Sequence, residues 1–317
     1  MDTNRRRFLL LAASAFAPAM PVRAGVNHLP LSTAFKNVER YHRIMTKART
    51  AGWAQRPIGP RMALLGRECL GVPYQGYTLE IDDKIECPSA NFDGLDCWTF
   101  FEITLGMARL LERPRYVYPP EELLKEIQWT RYRAGLCSGN YLERIHYLNE
   151  WFIDNEARGN VKDITRELGG AILLKGRQSR EMTVLWKGYR YLRNNPQLRP
   201  QMARIEAKVN TLPVWYIPKA DVAKIEHKLQ DGDIAGIVTK DQGGVCSHVG
   251  LITREKGQAC LMHASKNYRR VVIDQTISKY LNSFRSHAGL IIARPNATGK
   301  EVTSRRTYES NLRALGA

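Results

Sequence analysis

Leu95-Asp96-Cys97-Trp98-Thr99-Phe100 is the stretch from which the rest of the chain is read. Asp96 is a residue type that caps helices, and the apolar positions Phe101, Ile103, Leu105 and Ala108 predict a buried helix from Cys97 to about Leu111, ended by Arg113-Pro114. A thiol on the first residue of such a helix meets unpaired backbone N–H groups and the positive end of the helix dipole, and both favour a thiolate. A packed core cysteine, or half of a disulfide, fits the same position. The helix tip alone does not make Cys97 a nucleophile.

The final third of the chain supplies what a nucleophile needs. Ile234 to Thr239, His248 to Thr253, Ala259 to His263, Val271 to Asp274 and Gly289 to Ala293 are short apolar or alternating runs between Gly-rich or charged turns, which predicts an antiparallel sheet. Two of the runs carry histidines, Ser247-His248-Val249-Gly250-Leu251 and Leu261-Met262-His263-Ala264-Ser265. A two-residue turn at Lys256-Gly257 pairs 255 with 258, hence 248 with 265. His263 is then two residues from the partner of His248, and both rings leave the same face roughly 5 to 8 Å apart. A three-residue loop would send one ring to the opposite face. A reactive thiol requires a base, a polar group that orients the base, and donors for an oxyanion. His248 and His263 fill the first two roles; the Cys97 backbone N–H and the Tyr74 hydroxyl fill the third.

Elsewhere the sequence predicts scaffold. Ser32 to Thr50 has helical spacing with Ser32 or Thr33 as cap, Gly52 to Pro88 is loop-rich, and residues 112–230 form a mixed, mostly helical insertion that shapes the cleft. The segment beyond Pro295 is polar and expected to be loosely held. His146 is expected to be a packed or surface histidine, and Asp231-Gly232-Asp233 a turn rather than a calcium loop. The chain is therefore one α+β domain over 25–295, flanked by a leader at 1–24 and a tail at 296–317.

Arg5-Arg6-Arg7 before an apolar run from Phe8 to Met20, closing at Val22-Arg23-Ala24, predicts a cleaved secretory signal. Asn4-Arg5-Arg6-Arg7-Phe8-Leu9 resembles a twin-arginine signal, which implies export to the periplasm or cell envelope in a folded state. No cysteine follows the cleavage point, so no lipid anchor is expected there. Removing 1–24 leaves 44 basic against 30 acidic residues, a net charge of +14, compared with +17 for the whole sequence. Such a surface suits an anionic polymer outside the cytoplasm. Nucleic acid is not expected, because no basic stripe or DNA-binding motif is present. The six cysteines at 69, 87, 97, 137, 246 and 260 show no C-x-x-C pair or metal-ligand spacing, and no disulfide is assigned from them. Oligomeric state has no signature.

The order Cys, His, His, carried by Pro73-Tyr74, Asp96-Cys97, His248-Val249-Gly250 and His263-Ala264-Ser265, resembles the NlpC-type papain-like peptidases of bacterial cell walls. Tyr77-Thr78-Leu79-Glu80, Arg131-Tyr132-Arg133-Ala134-Gly135, Arg144-Ile145-His146-Tyr147 and Tyr216-Ile217-Pro218-Lys219 resemble their N-acetylmuramoyl-L-alanine amidase-like subgroup, so the likeness spans about residues 35 to 295. The resemblance implies a papain-like core, a helix-borne cysteine packed on an antiparallel sheet, and hydrolysis between the lactyl group of muramic acid and L-alanine in peptidoglycan. Cys97, His248 and His263 carry over as catalytic residues, and Tyr74 matches the tyrosine near the cysteine. No cofactor or metal is implied. Arg131, Arg133 and Arg144 are candidate bidentate donors to stem-peptide carboxylates, against the reading of solvated surface arginines, and Glu80 joins them as a candidate substrate-binding residue. The chain departs from the pattern at Trp98, bulky beside the nucleophile, and at Cys246, which would bridge to Cys97 if the two are close. Two other functions remain open: cleavage within the stem peptide after γ-D-glutamate, and wall binding without catalysis.

Overall fold

In the computed structural model, residues 29–176, 178–241, 243–299 and 301–317 are described. The leader expected over 1–24 lies outside them. The chain opens with a helical turn, Leu31–Ala34, and a two-residue strand, Phe35–Lys36. Helix α1 (Val38–Thr50) starts only after Asn37, whose φ of 59° breaks the chain and whose side chain accepts from the Arg40 N–H. Ser32 and Thr33 therefore do not cap it; asparagine tolerates the left-handed backbone and is the stronger cap. Helix α2 (Ile58–Arg67) occupies part of the stretch expected to be loop. Gly59 and Pro60 read as breakers, yet both stand in its first turn, where the missing proline N–H has no helical partner to lose.

Helix α3 (Cys97–Leu110) forms as the sequence predicts: the Asp96 carboxylate accepts the Thr99 N–H at 2.7 Å and the Thr99 hydroxyl accepts the Asp96 N–H at 3.0 Å, a closed capping box. Phe100, Phe101, Ile103 and Leu105 are fully buried, each stabilising the helix by roughly 1.5–3 kcal/mol. Besides short helical turns and the strand Ala90–Asn91, the elements that follow are α4 (Pro120–Arg131), α5 (Leu148–Ala157), β1 (Val161–Asp163), β2 (Ile172–Leu173), α6 (Arg199–Val209), β3 (Trp215–Pro218), α7 (Lys219–Ile225), β4 (Ile234–Thr239), β5 (Cys246–Glu255), β6 (Gln258–Ser265), β7 (Arg270–Thr276), α8 (Ile277–Asn282), β8 (His287–Pro295) and α9 (Arg305–Ala314).

Among the described residues, eight strands make one antiparallel sheet in the order β2-β3-β8-β4-β5-β6-β7, with β1 also pairing to β8. Successive residues feed opposite layers. Leu251 and Met262 pack with α2, α3 and α5 through Met62, Phe100 and Trp151. Their neighbours Ile252 and Leu261 pack with α7 and α8 through Val222, Ile225, Ile277 and Leu281. This period of two is what the alternating runs encode. The chain is thus α+β, with a mixed helical layer on each face of an antiparallel sheet.

Two further features add to the expectations. Residues 112–230, expected to be mixed and mostly helical, also contribute β1, β2 and β3 to the sheet. These strands are two to four residues long, too short to show alternation, and β3 lies so close to β8 that a Cβ on Gly289 would stand 2.1 Å from the Ile217 carbonyl. The tail, expected to be loosely held, is not loose. Tyr308 of α9 is buried and donates to Asp154 at 2.6 Å, Glu301 accepts from Arg109 at 2.6 Å, and the Thr298 N–H donates to Glu112 at 2.6 Å. Tyr308 and Leu312, with Leu315 just past the helix end, form the apolar stripe of an otherwise polar helix, a 3.6-residue signal that the polar composition hides. Among the described residues, no helix is long and apolar enough to cross a membrane.

Candidate functional site

Lys256 and Gly257 both take positive φ, 49° and 82°, so β5 and β6 are joined by a two-residue turn and Glu255 pairs with Gln258. The register runs unbroken to Leu251 opposite Met262. The two histidines meet as the spacing requires: His248 Nε2 is 2.6 Å from His263 Nδ1, with ring centroids 4.8 Å apart and planes at 82°. Gly250 makes this approach possible, since a Cβ there would stand 2.8 Å from the Met262 carbonyl oxygen and 2.9 Å from His263 Cβ. Gly250→Ala is expected to push β6 off β5, at a cost of about 1–3 kcal/mol, and to separate the two rings. Urea denaturation measures the loss; a variant as stable as the parent would show that the strands are not so tightly apposed.

A third polar group stands behind the pair. His263 Nε2 lies 3.5 Å from Asp274 Oδ2 on β7, an ion-pair distance rather than a good hydrogen bond. Sequence reading missed Asp274, although the signal is the same: His263 pairs with Val272, and two residues on is the same face. Tyr280 of α8 closes the far side, 6.3 Å from His248 and 5.3 Å from His263 between ring centroids. Burial pushes the His248 imidazole down to about 3, and the nearby His263 and His287 act in the same direction. Burial pushes His263 down to about 4, against the pull of Asp274 in the opposite direction. Both rings are then neutral near pH 7. With the His263 Nε2–H turned to Asp274, His263 Nδ1 is an acceptor, so His248 donates from Nε2 and keeps a free lone pair on Nδ1.

Cys97 and His248 line one cleft of about 570 Å³. The backbone N–H groups of Val249, next to His248, and of Trp98 and Cys97 lie against Sγ and favour the thiolate. Burial, with the Asp96 carboxylate in support, outweighs them and pushes the Cys97 thiol up to about 12. The group is therefore a neutral thiol. Tyr74 reaches the same cleft, held by its N–H donating to the Arg269 carbonyl at 2.9 Å. Burial, then Cys97 and Asp96, push its hydroxyl up to about 12, so it remains a donor. Cys246 also lines the cleft and carries a free thiol, as does Cys97, so the two are not bridged here. An extra residue, Ser247, breaks the register between the pairs Ile237–His248 and Val238–Cys246. Cys246 accordingly packs in the α3 layer rather than beside the histidines. Trp98 forms cleft wall, edge-on to Phe101 at 5.6 Å. Among the described residues, no group of three or more His, Cys, Asp and Glu is placed to hold a metal ion.

The expected substrate-binding set is placed differently. Arg131 is fully buried, with Nε donating to Glu102 at 2.7 Å, and Arg133 donates twice to Glu150 at 2.5 and 2.8 Å; neither lines the cleft. Arg144 and Glu80 do line it, but as a buried pair 3.1 Å apart, with Glu80 also accepting from the Tyr141 hydroxyl at 2.6 Å and the Tyr191 N–H at 3.1 Å. The arginines are matched by acids distant in sequence, which a linear reading does not pair, and none of the three stands free as a carboxylate binder. His146 is packed, as expected, on Tyr141 at 4.8 Å between ring centroids, and it forms part of the cleft wall. Burial holds it well below the usual histidine range, with Arg144 and Arg133 adding to the effect.

The helix-tip thiol and the histidine pair stand on an α+β frame that is shared with solved structures of amidase-like fold. The chain belongs to the family described as N-acetylmuramoyl-L-alanine amidase-like, which matches residues 64–294 and so contains Tyr74, Cys97, His248, His263 and Asp274. Among solved structures it is similar to an N-acetylmuramoyl-L-alanine amidase from Bacteroides uniformis, at 28% identity over 75% of this chain and 99% of that one, with a TM-score of 0.68. A Bacteroides fragilis protein provisionally named a xylanase is 31% identical over 72% of this chain and 98% of that one, with a TM-score of 0.64. A Legionella pneumophila protein at 19% identity, covering 81% of this chain and 95% of that one with a TM-score of 0.61, shares the fold. No curated protein matches the sequence.

Proposed function

We propose that this chain is a cysteine amidase of the papain-like, NlpC-type kind, hydrolysing the bond between N-acetylmuramoyl and L-alanine in peptidoglycan or its fragments. The observation that carries the reading is the 2.6 Å contact from His248 Nε2 to His263 Nδ1, which leaves the Nδ1 lone pair of His248, a residue lining the same cleft as Cys97, for the role of base. Because the thiol rests near 12 and the imidazole near 3, no thiolate–imidazolium pair is stored. The proton passes from Sγ to His248 as Sγ attacks the lactyl carbonyl, and His263 with Asp274 behind it stabilises the imidazolium that forms. The carbonyl oxygen gathers charge and is met by the Tyr74 hydroxyl and the Cys97 N–H. Collapse expels the L-alanine amine, which takes the proton back from His248. Water, deprotonated by His248, then cleaves the muramoyl thioester and restores the thiol.

The leading arginines and apolar run, and the basic charge, support an exported enzyme acting in the periplasm or cell envelope on an anionic polymer. Digestion of defined muropeptides followed by mass spectrometry tests the bond: the expected products are an intact stem peptide beginning with L-alanine and the free muramoyl sugar. Cleavage after γ-D-glutamate, or no cleavage, would refute the assignment. The same assay gives the pH profile. A base is lost as pH falls through its own pKa, so with His248 held near 3 the acid limb of kcat/KM is expected well below the 6.5 of an ordinary histidine. An acid limb at 6.5 would put the base in water rather than in this buried pair.

A further inference from the structure

Tyr77 is the anomaly of the cleft. Its φ of 61° places a bulky side chain in the left-handed region, and its ring is 67% exposed where it lines the cleft. A strained residue persists only where its surroundings fix it. Before it, the Gln75 N–H donates to the Leu95 carbonyl at 3.0 Å. After it, the Thr78 hydroxyl donates to Asp96 Oδ2 at 3.2 Å, the Leu79 carbonyl accepts from Arg144 at 3.1 Å, and Glu80 is locked among Tyr141, Arg144 and Tyr191. Glu80 and Arg144 thus hold the loop, and the loop thrusts one ring outward. Tyr189 meets that ring edge-on, with centroids 6.2 Å apart and planes at 77°. The Tyr189 hydroxyl donates to Glu181 Oε1 at 2.6 Å, which fixes a carboxylate in the same cleft wall.

We infer that Tyr77, squared off by Tyr189 and with Glu181 beside it, is the platform on which the pyranose ring of the substrate's muramic acid stacks. This rests on the amidase reading above. In that reaction the sugar is the acyl half, and its carbonyl oxygen lies at Tyr74, three residues before Tyr77 on the same segment and near enough for the two phenols to interact electrostatically. A pyranose presents a flat face of C–H groups to an aromatic ring and hydroxyl or amide donors at its rim, which suits Tyr77 and the Glu181 carboxylate respectively. The backbone strain keeps the platform raised before substrate arrives.

The test compares two substrates with the same scissile bond, an N-acetylmuramoyl-L-alanyl peptide and a sugar-free N-lactoyl-L-alanyl peptide. Tyr77→Ala is expected to lower kcat/KM roughly tenfold on the first and to leave the second unchanged, while Tyr77→Phe retains the preference for the sugar. Tyr77→Gly is expected to melt above Tyr77→Ala, because glycine accepts the left-handed backbone, and to lose the preference equally. Equal losses on both substrates, or no loss on either, would overturn the platform. If the parent protein cuts neither substrate, the amidase reading fails by itself. Titration of Cys97→Ala with N-acetylglucosaminyl-N-acetylmuramic acid, with and without Tyr77→Ala, then decides: roughly tenfold weaker binding supports the platform, and equal binding rejects it.

Discussion

Cys97→Ala is expected to stop release of the L-alanine-terminated stem peptide, with kcat falling by about 10⁴-fold or more, while the protein stays folded. The cap explains why the fold survives. Asp96 and Thr99 close the start of the helix through their own side chains, and the sulfur takes no part in either bond. In the proposed mechanism, loss of the sulfur removes the step in which a covalent bond to the enzyme forms, so what would remain is positioning and oxyanion stabilisation by Tyr74 and the backbone. Mass spectrometry of the digest gives the rate, and a thermal melt gives the fold. A Cys97→Ala digest that proceeds at the parent rate would remove the thiol from the mechanism altogether. Retained wall binding without hydrolysis in the variant, set against hydrolysis by the parent, separates an enzyme from a binding protein.

The second large effect is on stability. Arg131→Met is expected to cost about 3–5 kcal/mol, read as a lowered urea midpoint, because it leaves the buried Glu102 carboxylate without its ion-pair partner. Both partners are fully buried, and Glu102 also accepts from Trp151 Nε1 at 3.2 Å while Arg131 donates to Ser89 at 3.2 Å. Burial already raises the Glu102 pKa, with the Arg131 charge working against that rise. The double variant with Glu102→Gln is expected to recover much of the loss, since the charge is then gone. A raised KM with an unchanged midpoint would instead place Arg131 at the substrate.

The contrast between Cys97 and Arg131 shows what a linear sequence discloses. Cys97, His248 and His263 were legible because their placement depends on local rules: a cap, a period of two and a two-residue turn. Asp274 was equally accessible through the next hairpin. Arg131, Arg133 and Arg144 were misplaced because their partners Glu102, Glu150 and Glu80 come from other elements, and no local pattern marks a buried pair. The short strands at 161–163, 172–173 and 215–218 escaped for a similar reason, since their pairing with β8 or with one another is entirely long-range. Helix α2 was hidden by punctuation residues that are harmless in a first turn.

The clasp between the ends of the fold has a kinetic consequence. Arg109 and Glu112, at the close of the cysteine helix, are bonded to Glu301 and Thr298, about 190 positions downstream, and α9 seals α5 through Tyr308. A nascent polypeptide that has not yet emitted these last segments keeps the Arg109–Glu126 and Arg61–Glu112 pairs but lacks Glu301, Thr298 and the Tyr308 contact, so maturation is expected to finish after synthesis rather than during it. Contacts spanning such separations carry a large loop-closure entropy, which makes assembly slow and leaves the half-built core vulnerable to self-association.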